Sequence, residues 1–459
     1  MSGATTVATV LCAVRGPLEA EVVTALDSPG LQVTRRCADV VELRAAAAAG
    51  AGRVALVSAD FPALDREAVG DLHAHGLAVV ALAAPGTWEE DRVRALGADV
   101  VVDVVAPPDV LCETVRRAVV RTGSDGAAPP EPAAPAGTAA TPAAPERREG
   151  RVVAVWGPTG APGRTTLAVN LAAELAGPPS PARRRPARRD RRTAEVDVPA
   201  VAPTGPEAAV LLVDADTYGG AVAQHLGMLD ESPGLAAAAR SAGQGALDAT
   251  GLVALAPEVL PRVQVLTGVA RAARWPELPG TSLDVVWEVA RTVADWTVVD
   301  CGFGIERDEL LTYDTRAPQR NGATLSALAA ADAVVVVGGA DPVSLQRLVR
   351  ALDDLAETGA AAGALRVVVV NRVRSTVVGP RPERAVREAL ARYAGVVDVH
   401  AVPEDRALDT ALREGRALHE VSPAGAARRA VAGLAARLRE TAPAPLGAGV
   451  GDASPQAAH

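Results

Sequence analysis

The sequence predicts an α/β protein with two domains, each built on a mostly parallel sheet with helices on both faces. Apolar strand-like runs alternate with helical patterns along most of the chain. Several of these runs are apolar at every position, which is typical of buried parallel strands. A chain of 459 residues is too long for one ordinary core. Its 49% hydrophobic and 22% charged residues are typical of a soluble globular protein.

Residues 1–122 form the first predicted domain. Strand-like segments alternate there with helical segments, which indicates a parallel sheet wrapped by helices. The strand-like segments are VATVLCAV, LQVTRRCA, RVALVSAD, LAVVALAA and DVVVDVV. This size and rhythm resemble the receiver domain of response regulators, which has a flavodoxin-like fold.

Receiver chemistry is not expected from this unit. Phosphoryl transfer in a receiver needs an acidic pair after the first strand, an Asp ending the third and a Lys ending the fifth. Here the first strand runs into Arg15, and Ser58 holds the acceptor position. The chain has no Lys, so all 46 basic residues are Arg. Asp60 is a displaced candidate acceptor without its magnesium carboxylates. We therefore expect a degenerate receiver-like domain that serves docking or dimerisation.

Three low-complexity segments divide the chain. Residues 123–150 are rich in Ala, Pro and Gly and predict an extended linker. An Arg/Pro-rich insertion at 178–208 and a tail at 441–459 are predicted to be disordered. The insertion carries seven arginines from Arg183 to Arg192. This run is either a weak contact for nucleic acid or anionic lipid, or a solvated loop, and the solvated loop is favoured.

A strand, a Gly/Pro-rich turn and a helix follow one another from Arg151 to Ala176. The turn resembles the Walker A pattern G-x-x-x-x-G-K-[ST], with Arg164 in place of Lys and with five residues instead of four between Gly157 and Gly163, so that Pro158 stands at the position of the first Gly. Glycines let backbone N–H groups converge on phosphate oxygens at a helix N-terminus. The predicted phosphate-binding residues are Gly157, Gly160, Gly163, Arg164, Thr165 and Thr166, and the Thr165 hydroxyl is a predicted magnesium ligand. The alternative is a turn that binds nothing.

Polar side chains end three later strands of this second predicted domain, residues 151–440. Asp214 and Asp216 follow one apolar run, and Asp300 follows the next. Carboxyl ends of parallel strands face the crevice where ligands bind, so these carboxylates are expected beside the loop. Asp300 fits the role of holding magnesium through water. Asn371 also ends a buried strand, where it is either an adenine contact or a turn residue.

Residues 151 to about 440 resemble the ParA/MinD superfamily of deviant-Walker P-loop ATPases, which have a SIMIBI-type P-loop NTPase fold. The resemblance rests on GPTGAPGRTT, LLVDADTYGG, VVDCGFG, VVVNR and AVPEDRALDTALREGRAL. A receiver-like domain in front of such an ATPase is similar to the CpaE/TadZ branch, whose members localise pilus machinery. Actinobacterial relatives are described as septum-site or partitioning proteins.

The resemblance implies ATP and Mg²⁺ as cofactors, and a nucleotide-dependent homodimer that switches the binding of a protein partner. Asp216 would position the attacking water, Asp214 would lie near the metal, and Arg164 would complete the catalytic set. Asn371 and the loop from Pro403 to Asp405 would line the adenine. The implied function is a partner-stimulated ATPase that positions the septum, the chromosome or the pilus apparatus.

Two departures from the family pattern weaken the expectation of rapid hydrolysis. The family's signature Lys aligns with Thr159, and a short uncharged side chain cannot stabilise transition-state charge as a cation does. Arg164 is planar and larger than the usual Lys. ATP binding with slow turnover is therefore expected, and the alternative is a nucleotide-binding scaffold that recruits partners through its pseudo-receiver domain. An amidotransferase or synthetase on the same fold is a further alternative.

The expected location is the cytoplasm, with attachment at the membrane only through partners. Four scattered cysteines, with no metal-binding spacing, indicate reduced thiols. No apolar run approaches the length of a transmembrane helix, and no signal peptide is expected.

Overall fold

The structure, a computed structural model, describes residues 7–122, 149–177, 208–228, 232–307 and 319–441. The remaining segments hold most of the predicted linker, the Arg183–Arg192 run and the predicted tail. Those predictions therefore lie outside the described residues.

The N-terminal unit contains the five strands and five helices that the sequence predicts. They are β1 (Ala8–Ala13), α1 (Pro17–Leu26), β2 (Leu31–Arg36), α2 (Val40–Ala48), β3 (Val54–Ser58), α3 (Arg66–Ala74), β4 (Ala78–Ala83), α4 (Trp88–Leu96), β5 (Val100–Asp103) and α5 (Pro108–Thr122). All strand pairs are parallel, in the order β2-β1-β3-β4-β5. This is the flavodoxin-like order, so the predicted fold class of this unit is confirmed.

Helices cover both faces of this first sheet, and each face has its own apolar core. On one face, Leu43 of α2, Leu72 of α3 and Leu96 of α4 pack against alternate strand residues. On the other face, Leu26 of α1 and Val115 of α5 do the same. Since neighbouring side chains of a strand point to opposite faces, both sets of strand positions are apolar, as in the sequence.

The C-terminal unit begins with β6 (Arg151–Trp156), from which the predicted loop leads into α6. Its further elements are α6 (Arg164–Leu175), β7 (Val210–Ala215), α7 (Val222–His225), α8 (Gly234–Gly243), α9 (Ala249–Leu255), β8 (Glu258–Leu260), β9 (Val263–Leu266), α10 (Gly280–Val293), β10 (Trp296–Cys301), α11 (Gly322–Ala330), β11 (Ala333–Gly339), α12 (Pro342–Thr358), β12 (Leu365–Val373), α13 (Ser375–Val378), α14 (Pro382–Ala394), β13 (Val399–Pro403), α15 (Ala407–Glu414), α16 (Leu418–Val421) and α17 (Ala426–Glu440). A 3₁₀ helix spans Ala272–Glu277.

Eight strands form the second sheet in the order β13-β12-β11-β6-β10-β7-β9-β8. Every pair is parallel except β8 with β9 at one edge. Helices again lie on both faces: α6 and α17 pack on one face, while α10, α11 and α12 pack on the other. The mostly parallel α/β fold predicted for this unit is confirmed.

The order of the strands brings the predicted site together at the carboxyl ends of the central strands. The strand that leads into the loop, β6, lies between β11 and β10, and β10 pairs in turn with β7. In this register Asp300 pairs with Val155 on one side and with Asp214 on the other. The carboxyl ends of these strands therefore meet where α6 begins.

A buried ion pair fixes α17 to α6. The Arg428 guanidinium donates to both carboxylate oxygens of Glu174, at 2.7 and 3.0 Å, and both side chains are buried. Arg439 adds a hydrogen bond to the Glu174 carbonyl at 2.7 Å. The last described helix is thus anchored in the core of the domain.

Arg92 of α4 joins the two units. Its Nε donates to the Gln244 carbonyl at 3.1 Å. The same guanidinium donates to the carbonyls of Ala59 and Leu64, at 2.8 and 2.7 Å, in the loop after β3. One side chain therefore links the end of β3, where a receiver carries its acceptor, to the turn after α8.

Candidate functional site

The loop from Gly157 to Gly163 connects the buried strand β6 to the first turn of α6. Gly160 and Gly163 have φ angles of 74° and 85°, which glycine adopts without steric cost. A Cβ at Gly157 would stand 2.3 Å from the Val337 carbonyl oxygen, so the backbone there packs too closely for any side chain. These glycines therefore meet steric demands of the fold, whether or not a ligand binds.

Asn371 supports the loop from β12, a strand of the same sheet as β6. Its Nδ2 donates to the Pro162 carbonyl at 3.0 Å, and its Oδ1 accepts the backbone N–H of Arg372 at 2.9 Å. A Cβ at Gly163 would lie 2.3 Å from that same Nδ2. Both polar atoms of the Asn371 amide are thus engaged within the chain, and its predicted contact with adenine stays a prediction.

Arg164 folds back over the loop that it follows. Its Nη1 donates to the Gly157 carbonyl at 3.1 Å, and its Nη2 lies 3.5 Å from Oδ2 of Asp216. The guanidinium also lies 6.0 Å from the centre of the Phe303 ring, within cation–π range. The side chain therefore occupies the mouth of the loop, where a phosphate-binding cation is expected.

Asp300 at the end of β10 is 1% exposed. None of the described residues makes a hydrogen bond of ordinary geometry to either of its carboxylate oxygens. Burial raises the pKa of Asp300 well above its usual range, the Asp214 carboxylate raises it further, and interaction with the Thr165 hydroxyl lowers it. A buried carboxylate without a partner beside a hydroxyl is suited to a hydrated cation.

Asp214 is also buried, but its oxygens are occupied. Oδ2 accepts the N–H of Val222 at 3.0 Å, and Oδ1 accepts the N–H of Asp216 at 3.2 Å. A Cβ at Gly220 would lie 2.8 Å from Oδ2. Burial raises the pKa of Asp214 to about 6, against the opposing effect of those N–H donors. Asp214 therefore shapes the loop after β7 and lies next to Asp300 in the sheet.

Asp216 meets the Gly157–Gly163 loop at the side chain of Arg164. Its Oδ1 accepts the N–H groups of Tyr218 and Gly219, at 2.9 and 3.3 Å, and its Oδ2 faces Arg164. Two backbone donors and the neighbouring guanidinium therefore hold this carboxylate in a fixed position. Among the three predicted carboxylates, only Asp216 directly contacts the side chain of the loop's cation.

The loops after β7 and β10 are joined by side chains that the sequence did not single out. The rings of Tyr218 and Phe303 are 4.3 Å apart, and the Tyr218 hydroxyl donates to Asn321 Oδ1 at 2.7 Å. The Arg320 guanidinium lies 4.1 Å from the centre of the Tyr218 ring. Aromatic residues are only 2% of this chain. An aromatic residue shortly after each of two strand-end aspartates was therefore a signal that the sequence offered.

The remaining predicted residues lie at the carboxyl ends of the strands or next to the loop. Pro403 ends β13, which pairs with β12. Asp405 accepts the N–H groups of Ala407 and Ala427, at 2.9 and 3.3 Å, and so caps the starts of α15 and α17. The Thr166 hydroxyl lies 3.4 Å from His225 Nε2. Lining of adenine by Pro403 and Asp405 stays a prediction.

The candidate acceptor region of the N-terminal unit lacks receiver geometry. Ser58 is 4% exposed, and its Oγ accepts the backbone N–H of Arg15 at 3.3 Å. Asp60 is exposed, two residues further on. The described side chains thus hold a buried hydroxyl at the acceptor position, as the sequence indicates.

Comparison with known proteins gives likeness in structure only. No protein-family model and no curated protein matches the chain. The cell division ATPase MinD of Pyrococcus furiosus is similar, with 19% identity over 63% of this chain and 99% of that chain, at a TM-score of 0.45. A ParA family ATPase from Chlorobium tepidum TLS has 17% identity over 63% of this chain and 99% of that chain, at a TM-score of 0.48.

The septum site-determining protein MinD of Pyrococcus horikoshii OT3, complexed with Mg-ADP, has 17% identity over 63% of this chain and 95% of that chain, at a TM-score of 0.44. Within the described ranges of this chain, no helix is long and apolar enough to cross a membrane.

Proposed function

We propose that the chain binds ATP at the loop from Gly157 to Thr166. The observation that carries the proposal is the meeting of this glycine loop, the start of α6 and the buried, unpartnered carboxylate of Asp300 at one edge of a parallel sheet. The helix start offers free N–H groups and a favourable dipole to phosphate. The close packing of Gly157 and Gly163 leaves the loop backbone uncovered by side chains of its own.

We further propose magnesium as the partner of the nucleotide. Magnesium in nucleotide sites is held by one or two protein groups, phosphates and water. The Thr165 hydroxyl and the Asp300 carboxylate can supply those protein groups, the second through water. Among the described residues, no group of three or more His, Cys, Asp or Glu side chains could hold a metal ion alone. A bound magnesium ion would neutralise charge on the phosphates.

The same residues support slow hydrolysis of ATP. Asp216, fixed by two N–H donors, would orient the attacking water. Arg164 would move from the Gly157 carbonyl and Asp216 to the phosphates, where it would stabilise negative charge. Asp214 would hold the loop after β7 in register with Asp300.

At the level of the cell, we propose a partner-stimulated ATPase of the ParA/MinD superfamily, in its CpaE/TadZ branch. It would form a nucleotide-dependent homodimer and position septum, chromosome or pilus machinery from the cytoplasm, reaching the membrane only through partners. The five motifs quoted above and the flavodoxin-like unit in front of the loop support this proposal.

A second candidate is a nucleotide-binding scaffold without significant hydrolysis. It is favoured by the exposed, uncharged side chain at Thr159. In this case the N-terminal unit, with Ser58 buried at the acceptor position, would recruit partners without being phosphorylated.

Two measurements on the same samples separate the two candidates. They are the mass of the chain in solution, with ATP, with ADP and without nucleotide, and the release of phosphate. The ATPase proposal expects a dimer only with ATP, together with slow release that a partner accelerates. A constant mass with nucleotide bound and no phosphate released would support the scaffold. A chain that binds neither nucleotide would refute both.

A further inference from the structure

A guanidinium from outside the motif lies on the tip of the phosphate loop. Nη1 of Arg347, in α12, donates to the Thr159 carbonyl at 3.3 Å. A Cβ at Gly160 would stand 2.3 Å from that same Nη1. The cation therefore lies against the two loop residues that precede Ala161, and Thr159 itself contributes no charge.

The joint between β11 and α12 places Arg347 there. A Cβ at Gly338 would lie 2.6 Å from Leu348 Cδ2, and a Cβ at Gly339 would lie 2.8 Å from Ser344. These two glycines therefore allow α12 to approach the sheet and the loop closely. Asp341 caps α12 by accepting the Ser344 N–H at 3.0 Å and its hydroxyl at 2.6 Å. The start of the helix is thus fixed relative to the loop.

Most N–H donors of the Arg347 guanidinium are available to a ligand. Arginine carries five N–H donors, and the contact with Thr159 uses one at a long distance. The Arg347 side chain is exposed, and no carboxylate of the described ranges forms an ion pair with it. An unpaired cation at the rim of an anion-binding loop attracts the charge that the loop receives.

We propose that Arg347 binds the terminal phosphate of a nucleoside triphosphate held in the loop, and so provides the positive charge that Thr159 lacks. This inference rests on the proposed function. In a Walker A loop the backbone and helix start hold the inner phosphates. Arg347 contacts the loop at Thr159 and Gly160, ahead of the helix start that carries Thr165 and Thr166, so we assign to it the outermost phosphate. A nucleoside diphosphate lacks this third phosphate.

The test measures ATP and ADP affinity, each with Mg²⁺, for the full-length chain and three variants. Arg347→Ala is expected to weaken ATP binding about tenfold, the effect of losing a hydrogen bond to a charged group, and ADP binding less than about twofold. Arg347→Lys keeps the charge and is expected to retain most of the ATP affinity. Arg350→Ala removes an exposed cation three residues along the same helix and is expected to change neither.

Equal weakening of ATP and ADP by Arg347→Ala would overturn the inference, because it would mean that Arg347 only supports the loop. An unchanged ATP affinity, or an equal effect of Arg350→Ala, would also overturn it. In each of these three cases the wild-type chain still binds ATP, so the proposed function stands. If the wild-type chain binds neither nucleotide, the proposed function itself fails, and the inference fails with it.

Discussion

Nη2 of Arg164 lies 3.5 Å from Oδ2 of Asp216, which connects the start of α6 to the loop after β7. The side chains are 16% and 10% exposed, so water screens this pair only in part. The loop's cation and the predicted water-positioning carboxylate are therefore coupled before any ligand arrives. A phosphate would compete with Asp216 for the same guanidinium.

Asp216→Ala should separate binding from hydrolysis. Removing the carboxylate frees Arg164 for phosphate and removes a negative charge from the site, so ATP affinity should stay within about threefold of wild type or rise. Phosphate release should fall at least about tenfold, because no other group would orient water. Calorimetry and a phosphate-release assay check this, with the exposed Asp354→Ala as control. A variant that still releases phosphate at the wild-type rate would remove Asp216 from the mechanism.

The glycine at the end of the loop should tolerate no side chain. Gly163→Ala combines a φ of 85° with a Cβ 2.3 Å from Asn371 Nδ2, so the loop must shift. ATP affinity should fall at least about tenfold, as for the loss of preorganised loop contacts to a charged group. Gly359→Ala is the matched control, since its φ is 62° and nothing lies within 4 Å of its Cβ.

The control should lose about 1 kcal/mol of stability from backbone strain and keep its ATP affinity. Equal ATP affinities for Gly163→Ala and wild type would show that this loop is not the binding site.

Removing only one partner of the buried ion pair between α6 and α17 should strongly lower the stability of the fold. Arg428→Ala leaves the Glu174 carboxylate buried and unpaired, and it should lower the free energy of unfolding by about 3–5 kcal/mol. Glu174→Leu with Arg428→Met should restore most of that loss, because both charges are then removed. Urea unfolding followed by Trp fluorescence measures both.

The exposed pair Arg384–Glu388 provides the comparison. Arg384→Ala should cost less than about 1 kcal/mol, as surface ion pairs do. A comparable loss for Arg384→Ala and Arg428→Ala would contradict the assigned role of burial.

Asp214 should make the chain less stable as the pH rises. Its folded pKa of about 6 lies above the ordinary value of 3.8, so the folded state holds the proton more tightly than the unfolded state. Stability should therefore be greatest below about pH 4 for this group and fall through pH 6, by roughly 3 kcal/mol at most. Asp300, whose pKa burial also raises, should act in the same direction.

Unfolding of the chain by urea in EDTA, from pH 4 to pH 7, measures this dependence. Asp214→Asn should show a shallower fall in stability across that window than wild type. Identical slopes would mean that Asp214 does not titrate there.

Much of the fold follows from local patterns. The valine runs of β11 and β12 are apolar at consecutive positions because both faces of the sheet are covered, and the sequence predicts them as buried strands. The stretch from Gly234 to Val293 carries none of the predicted elements. Its helix α8 reads GLAAAARSAG, in which alanine gives little contrast between faces, and β8 has only three residues, too few for a pattern.

The parts of the candidate site that follow from short sequence motifs could be predicted. The loop glycines, Thr165 and the strand-end carboxylates follow from short motifs and the rule for parallel strands. Arg347 meets Thr159 across 188 residues, and Asn371 meets Pro162 across 209. Such contacts depend on the order of β11, β12 and β6 in the sheet, which local spacing does not encode.

Calorimetric titration of the full-length chain with ATP, with and without Mg²⁺, tests the central claim most directly when wild type is compared with Thr165→Val. The variant keeps the shape of the side chain and removes the hydroxyl. Wild type should bind ATP at least about tenfold more tightly with Mg²⁺ than without it, and the variant should lose that difference while still binding the phosphates through the loop backbone. No binding by wild type, or the same magnesium dependence in the variant, would contradict the account.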